Sequence, residues 1–279
     1  MRYRLVIFTD LDGTLLDHDT YSFEPALPAL RLLESNEIPL VICTSKTRAE
    51  IERYRKLLRN KHPFIAENGG AIFIPEGYFT RGFDFDTRGE GYLVIELGTP
   101  HAELKDALKS ISRETGIQIT GISEMGVSEI MKKTGLDEES AKSASKRDYG
   151  EPFLIEGDEG AAEIVKDRIY NKGYGYTRGG RFHHILGAND KGKAVRILTE
   201  LYKNEAGHIE TVGIGDSLND LPMLETVDVP LLVQKPNGQY DAEIRLDNIT
   251  LADGAGPRGW NSAILKHFIK FEEKGAKQK

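Results

Sequence analysis

The chain has 279 residues, 39% hydrophobic and 29% charged, with a formal net charge of −7. That length supports one large domain or two smaller ones with a sizeable core. The mild acidity, with no dominant basic stretch outside the tail at 274–279, argues against a nucleic-acid partner. The single cysteine, Cys43, excludes an internal disulfide and fits a reducing compartment. No signal-peptide core and no run of membrane-spanning length is present, so a cytoplasmic protein without a membrane partner is expected.

Residues 5–8 (Leu-Val-Ile-Phe) form a short apolar run of the kind buried in a parallel sheet. Residues 25–35 follow with Leu27, Leu30 and Leu33 on one helical face. Residues 39–43 read as a second strand, and 47–59 as a helix presenting Ile51, Tyr54 and Leu58. Strands are expected again at 64–66, 211–214 and 231–233. This β-α-β-α-β rhythm predicts a doubly wound, Rossmann-like parallel sheet of the α/β class.

The middle of the chain alternates differently. Strand-like pieces at 92–97, 152–155, 175–177 and 182–186 are interleaved with helical pieces at 101–115, 128–134, 138–146 and 161–172. The expected organisation is a core of residues 1–82 and 187–279, interrupted by an inserted α+β cap at 83–186. Pro75, Tyr78 and Phe79 read as a loop between the two.

Four signals lie at strand ends or at the start of a core helix. They are Asp10-Leu11-Asp12-Gly13-Thr14, Thr44-Ser45-Lys46, Lys191 in Asn189-Asp190-Lys191-Gly192-Lys193, and Gly213-Ile214-Gly215-Asp216-Ser217-Leu218-Asn219-Asp220. Ligands of open α/β sheets gather at the carboxyl ends of the strands. Cleaving a phosphate ester needs a nucleophile, a proton donor for the leaving oxygen, and positive charge around the phosphoryl group. Two carboxylates in one strand-end loop supply the first two needs. A hard cation such as Mg²⁺, held by Asp10, Asp216 and the carbonyl of Asp12, supplies the third, with Lys191 and the Thr44 hydroxyl. Each residue also has a plainer role: Thr47 or Ser45 suits a helix N-cap, and most lysines are simply solvated. The segment 187–194 nearly matches a P-loop, but Ala194 stands where the metal-binding hydroxyl is required. Gly213 and Gly215 lack the third glycine of a dinucleotide fingerprint, since Leu218 occupies its place.

In this order, the four signals resemble the haloacid dehalogenase superfamily of phosphatases. The resemblance implies a nucleophilic Asp10, an acid/base Asp12, a hydroxyl donor Thr44, a charge-neutralising Lys191, a metal ligand Asp216 and a supporting acidic Asp220 beside it. It also places the insert like the large cap of the sugar-phosphatase branch. A narrower resemblance, to the mannosyl-3-phosphoglycerate phosphatases, rests on several segments. These are Thr44-Ser45-Lys46-Thr47, Glu67-Asn68-Gly69-Gly70, Arg147-Asp148-Tyr149-Gly150-Glu151-Pro152-Phe153, Gly180-Arg181-Phe182-His183-His184 and Gly256-Pro257-Arg258-Gly259-Trp260-Asn261. It implies removal of phosphate from a glycosyl phosphoglycerate on the way to the compatible solute mannosylglycerate, with glucosyl-3-phosphoglycerate a rival substrate.

A small anionic phosphosugar asks for Arg or Lys at its carboxylate and phosphate, and for polar groups at its hydroxyls. The expected substrate-binding residues are Ser45, Lys46, Asn68, Gly69, Arg147, Arg181, His184 and Arg258. Arg147 has the alternative of capping its helix. Strand alternation puts Arg181 with His183, whereas the family pattern pairs Arg181 with His184, and Phe182 is expected in the core. A monomer or homodimer is expected. The rival functions are a phosphosugar mutase on the same scaffold and a non-catalytic phosphosugar-binding module.

Overall fold

A computed structural model describes residues 5–179 and 182–277. In chain order the elements are β1 (Leu5–Thr9), α1 (Leu27–Ser35), β2 (Leu40–Cys43), α2 (Arg48–Leu57), β3 (Phe64–Ala66), β4 (Ala71–Pro75), β5 (Thr87–Gly89) and β6 (Tyr92–Glu96). Then come α3 (His101–Thr115), β7 (Ile119–Gly121), α4 (Val127–Thr134), α5 (Glu138–Ala144), β8 (Gly150–Ile155), α6 (Glu159–Asn171), β9 (Gly175–Gly179) and β10 (Phe182–Leu186). The chain closes with α7 (Lys191–Ala206), β11 (Glu210–Gly215), α8 (Leu221–Thr226), β12 (Val229–Gln234), β13 (Thr250–Ala255) and α9 (Gly256–Lys277). Among the described residues no helix is long and apolar enough to cross a membrane.

The larger sheet runs β13-β12-β11-β1-β2-β3-β4-β6-β5. Strands β13 to β3 are mutually parallel, as the doubly wound expectation requires, and β4, β6 and β5 extend the sheet antiparallel. Both faces are covered, which is why the central strands read as unbroken apolar runs. On β1, Leu5 and Ile7 join a cluster with Ala29, Leu33, Trp260 and Ile264 from α1 and α9. Val6 and Phe8 face the other way, onto Val195, Leu198 and Tyr202 of α7.

The chain order reverses at β1, which pairs with β11 on one side and β2 on the other. Their carboxyl ends deliver Asp10, Asp216 and Thr44 to one crevice. Local capping fixes where the adjoining helices begin. Thr47 and Glu50 form a reciprocal capping box for α2, and the Asp190 carboxylate accepts from Lys193 N at 2.7 Å to start α7.

The second sheet, β7-β8-β10-β9, is antiparallel. One face packs on Leu104, Leu108 and Ile111 of α3 and Val165 and Ile169 of α6. Leu154 and Phe182 pack on a separate cluster that includes Ile122, Ile130 and Ala141.

The expected boundary at residue 82 is corrected in one respect. Residues 87–96, assigned by sequence to the insert, pair through β6 with β4 and so complete the larger sheet. Tyr92 and Val94 bury their side chains in its core. Periodicity identifies a strand but not the sheet it joins, and β4, of which only Pro75 carries an expectation (a loop), is a further strand of that sheet. The passage to the second sheet occurs instead near Gly98 and Thr99. There Leu97 N and Gly98 N both donate to Gly70 O at 2.9 Å. The return strand comes equally close: a Cβ on Gly187 would stand 2.2 Å from Thr99 Oγ1.

Candidate active site

Asp10 is the first residue beyond β1, and its N–H continues the ladder by donating to Ile214 O at 3.0 Å. Its carbonyl accepts from Thr9 Oγ1 at 2.7 Å, and that oxygen accepts from Trp260 Nε1 at 3.0 Å. The C-terminal helix thus braces the strand end from behind. Lys191, in the first turn of α7, is 1% exposed. Its Nζ lies 2.6 Å from both Asp10 Oδ1 and Asp220 Oδ1. The other oxygen of Asp220 accepts from Asp216 N at 3.0 Å and Ser217 N at 3.1 Å. Asp216 accepts from Thr14 Oγ1 at 3.1 Å and Ser217 Oγ at 2.7 Å.

Carboxylate oxygens of Asp10, Asp216 and Asp220 lie within 4.8 Å of one another. Three buried acids crowd together and one ammonium pairs with two of them, Asp10 and Asp220, and the electrostatics reflect it. Burial, reinforced by Asp220 and Asp216, pushes the Asp10 carboxyl well above its usual range against the pull of Lys191. Burial and then Asp220 push Asp216 up to about 7. For Lys191, burial alone would lower the pKa, but Asp10 and Asp220 more than offset it. An all-oxygen donor set with surplus negative charge fits a hard divalent cation. Asp220 is held by Lys191 and two backbone N–H groups, whereas Asp216 accepts from two hydroxyls that can rotate away and Asp10 bonds Lys191 through one oxygen, so Asp10 and Asp216 are the carboxylates better placed to turn toward such an ion. Gly13, at φ 75°, keeps the loop close: a Cβ there would stand 3.0 Å from Asp216 Oδ2.

Asp12 occupies different surroundings. Its side chain is 41% exposed, with Oδ2 2.8 Å from Lys46 Nζ. Its Oδ1 is buried with no hydrogen-bond partner. Lys46 is itself buried, 3.4 Å from Glu50 and over the rings of Tyr21 and Tyr54. Burial would lower its pKa, yet Asp12 and Glu50 raise it above the ordinary value. The carboxylate of Asp12 therefore stands apart from the acidic cluster.

A cavity of about 150 Å³ lies above these groups, lined by Asp10, Asp12, Ser45, Lys46 and Asp216 from the larger sheet and by Ile122, Arg147, Pro152, Phe182 and His184 from the smaller. Of the expected substrate-binding residues, Ser45, Lys46, Arg147 and His184 line it. Asn68 and Gly69 do not. The Asn68 side chain accepts from Asn219 Nδ2 at 3.2 Å and its carbonyl from Asn189 Nδ2 at 3.3 Å. Gly69 is pressed against Asp190, where a Cβ would stand 2.0 Å from the carbonyl oxygen. Arg258 is exposed in the first turn of α9 and does not line the cavity. Arg181 lies outside the described residues. Adjacency in sequence to a cavity residue does not set a side chain's direction, and here the turn after β3 is filled by other loops.

Thr44 is fully buried and its Oγ1 accepts from Lys46 N at 3.4 Å, which leaves its proton to donate. Arg147 does not cap α5. Both of its terminal nitrogens donate to Ser45 O at 2.9 Å. The two histidines part company: His183 stacks on Phe153 and bonds Tyr176 Oη at 2.6 Å, whereas His184 faces the cavity. Burial holds the His184 imidazole down to about 3, with Arg147 adding to the effect. Phe182 shares the face of His184 and lines the cavity, contrary to its expected place in the core alone. Tyr21, His18 and Asn219 also line it and were not anticipated. Tyr21 carried one overlooked signal, its place in a tight turn knotted by Asp17, which accepts from Thr20 N at 2.9 Å and from Thr20 Oγ1 at 2.8 Å.

Residues 7–87 match the family model of haloacid dehalogenase-like hydrolases. Over 260 residues the chain is 53% identical to a glucosyl-3-phosphoglycerate/mannosyl-3-phosphoglycerate phosphatase of Methanococcoides burtonii, covering 93% of this chain and 96% of that one. It is 43% identical over 271 residues to a protein of the same description from Persephonella marina, covering 96% and 98%. The solved structure of a haloacid dehalogenase-like hydrolase from B. subtilis shares the fold, with a TM-score of 0.66 at 19% identity over 96% of this chain and 99% of that one. The chain belongs to the haloacid dehalogenase-like hydrolases. Within that family it is a phosphatase, similar along nearly its whole length to the two phosphoglycerate-ester phosphatases named above.

Proposed function

We propose that the chain hydrolyses mannosyl-3-phosphoglycerate to mannosylglycerate and phosphate, with glucosyl-3-phosphoglycerate as the close second substrate. The observation that carries this reading is the split environment of one loop. Asp10 is tied to Lys191 inside an acidic cluster, while Asp12 is tied to Lys46 at the edge of the cavity. The relatives' names supply the substrate class.

In this reading Asp10 attacks phosphorus and the bond to the glycerate oxygen breaks, leaving an aspartyl phosphate. Asp12 gives its proton to the departing oxygen. It then takes a proton from water, whose oxygen attacks the same phosphorus, so that phosphate leaves and Asp10 is restored. Lys191 orients Asp10 and balances part of its charge, and Thr44 would donate to a phosphoryl oxygen. Asp10, Asp216 and the carbonyl of Asp12 would hold Mg²⁺, with Asp220 supporting them, and the bound ion would offset charge on the phosphoryl group. Residues beyond the passage near Gly98, up to Gly187, form the cap that covers the sugar and excludes bulk water. Ser45, Lys46, Arg147 and His184 line the space it encloses.

Phosphate release with Mg²⁺ present, from both glycosyl phosphoglycerates and from mannose 6-phosphate, tests this. The expected outcome is kcat/KM highest for a glycosyl phosphoglycerate. Equal turnover of mannose 6-phosphate would overturn the substrate assignment. Isomer without free phosphate would indicate a mutase, and binding without turnover a binding module.

A further inference from the structure

The turn after β3 bears on the Thr44-Ser45-Lys46 loop. Glu67 and Asn68 take left-handed backbone conformations, at φ 51° and 56°, followed by Gly69 at 85°. Side-chain-bearing residues persist there only where the surroundings impose it, and such strain collects at functional sites. Here the surroundings are specific: Asn68 N donates to Thr44 O at 3.0 Å and Glu67 N to Lys46 O at 3.0 Å. The carbonyl between them, that of Ser45, accepts from the opposite side, from both terminal nitrogens of Arg147 at 2.9 Å. All three carbonyls of Thr44-Ser45-Lys46 are therefore held in place, two by the turn and one by the cap. Glu67 also secures the cap's end of this arrangement. Its carboxylate accepts from Asp148 N at 3.0 Å and Tyr149 N at 3.1 Å, and lies 3.8 Å from Arg147. The side chains of Arg147 and Glu67 are 5% and 2% exposed.

We infer that Glu67 is a positioning residue for phosphoryl transfer, acting through Arg147 to fix the Ser45 carbonyl and with it the loop that carries Thr44 and Lys46. This rests on the phosphatase reading above. It gives Arg147 a different task from binding the substrate carboxylate. Two of its N–H groups converge on one carbonyl and Glu67 lies 3.8 Å away, so the terminal nitrogens of Arg147 set geometry and its charge is partly balanced, while Nε is buried without a hydrogen-bond partner. The relay also makes the loop's geometry depend on the cap being seated.

Glu67→Gln keeps the side chain's shape but turns one acceptor into a donor. Arg147→Lys keeps the charge but cannot direct two nitrogens onto one carbonyl oxygen. Each is assayed with mannosyl-3-phosphoglycerate and with p-nitrophenyl phosphate, which has no carboxylate and no sugar, alongside a thermal melt. A misplaced loop should slow both substrates, with kcat down about tenfold to a hundredfold and KM for the sugar ester changed by less than about twofold. Because the residues act in series, the double variant should be no slower than the slower single one. A raised KM for the sugar ester with p-nitrophenyl phosphate turnover intact would overturn the inference, making Arg147 a substrate ligand. Activity lost only in proportion to folded protein would also overturn it, as would additive losses. Wild-type protein inactive on both compounds would overturn the phosphatase reading and this inference together. Active wild type with unaltered variants would overturn this inference alone.

Discussion

Lys46 holds its ammonium 2.8 Å from a carboxylate oxygen of Asp12 and sits 3.4 Å from Glu50. The two aspartates of the first loop are thereby given separate cations, since Asp10 belongs to Lys191. Removing Lys46 should expose this division. In Lys46→Met, Glu50 is left buried without its counter-charge, and stability should fall by roughly 3 kcal/mol. Turnover should fall as well, because Asp12 loses the group that holds it. Urea denaturation and phosphate release measure the two effects separately.

Asp10→Asn is expected to separate activity from stability in the opposite sense. The amide cannot form the aspartyl phosphate, so kcat should drop about 10³-fold or more. Lys191 keeps Asp220, and one of three crowded acids is gone. The melting temperature should hold or rise. A variant with near-normal phosphate release would exclude Asp10 as the nucleophile.

Metal dependence should follow the acidic cluster. Chelation should abolish phosphate release and added Mg²⁺ should restore it. Mg²⁺ at about a hundred times its dissociation constant should stabilise the fold by about 2.7 kcal/mol. Asp216→Asn should remove most of that stabilisation. Equal melting curves for wild type with and without Mg²⁺ would count against the site.

The pH dependence of stability can be read at His184. Its folded pKa is about 3, against an ordinary value of 6.5. The unfolded chain therefore binds a proton below about pH 6.5 that the folded chain refuses until about pH 3. The contribution of His184 to stability is present above that window and is lost as pH falls through it, at about 1.4 kcal/mol per unit. Between pH 6.5 and 5.0, wild type should lose about 1.5 kcal/mol more than His184→Gln. Denaturation midpoints at the two pH values decide it.

Trp260, the single tryptophan of the chain, is fully buried and donates to Thr9 Oγ1 at 3.0 Å. Trp260→Ala should cost about 3–5 kcal/mol through the cavity it leaves. Trp260→Phe should cost less and chiefly loosen the Thr9–Asp10 strand end. Phosphate release at a temperature where both variants are folded would show whether that brace matters to turnover.

Most of what the residues declared locally was legible. Apolar runs marked β1, β2, β3, β11 and β12, and a cap at Thr47 or Ser45 marked the start of α2. What was missed had a recognisable cause. The helix α9, which opens with Gly256, Pro257 and Gly259, was not among the expected elements, although proline is well suited to a first helical turn. The strand β4 follows two consecutive glycines and was not among the expected strands. Within the site, Asn68 and Gly69 looked like ligands because they stand in a motif, yet packing turned them toward Asn189, Asn219 and Asp190.

By itself, then, the sequence determined the chemistry available and the strand ends that would carry it: two aspartates after β1, a hydroxyl after β2, a lysine opening α7 and an acidic loop after β11. Those features are encoded over a few residues, where periodicity and capping act. Only the tertiary structure decided which lysine serves which aspartate, which histidine faces the cavity, and that Arg147 grips Ser45. These pairings join residues up to 181 positions apart. They are set by how sheets and helices pack, and a one-residue change of direction along a strand or turn is enough to send a side chain to the other face.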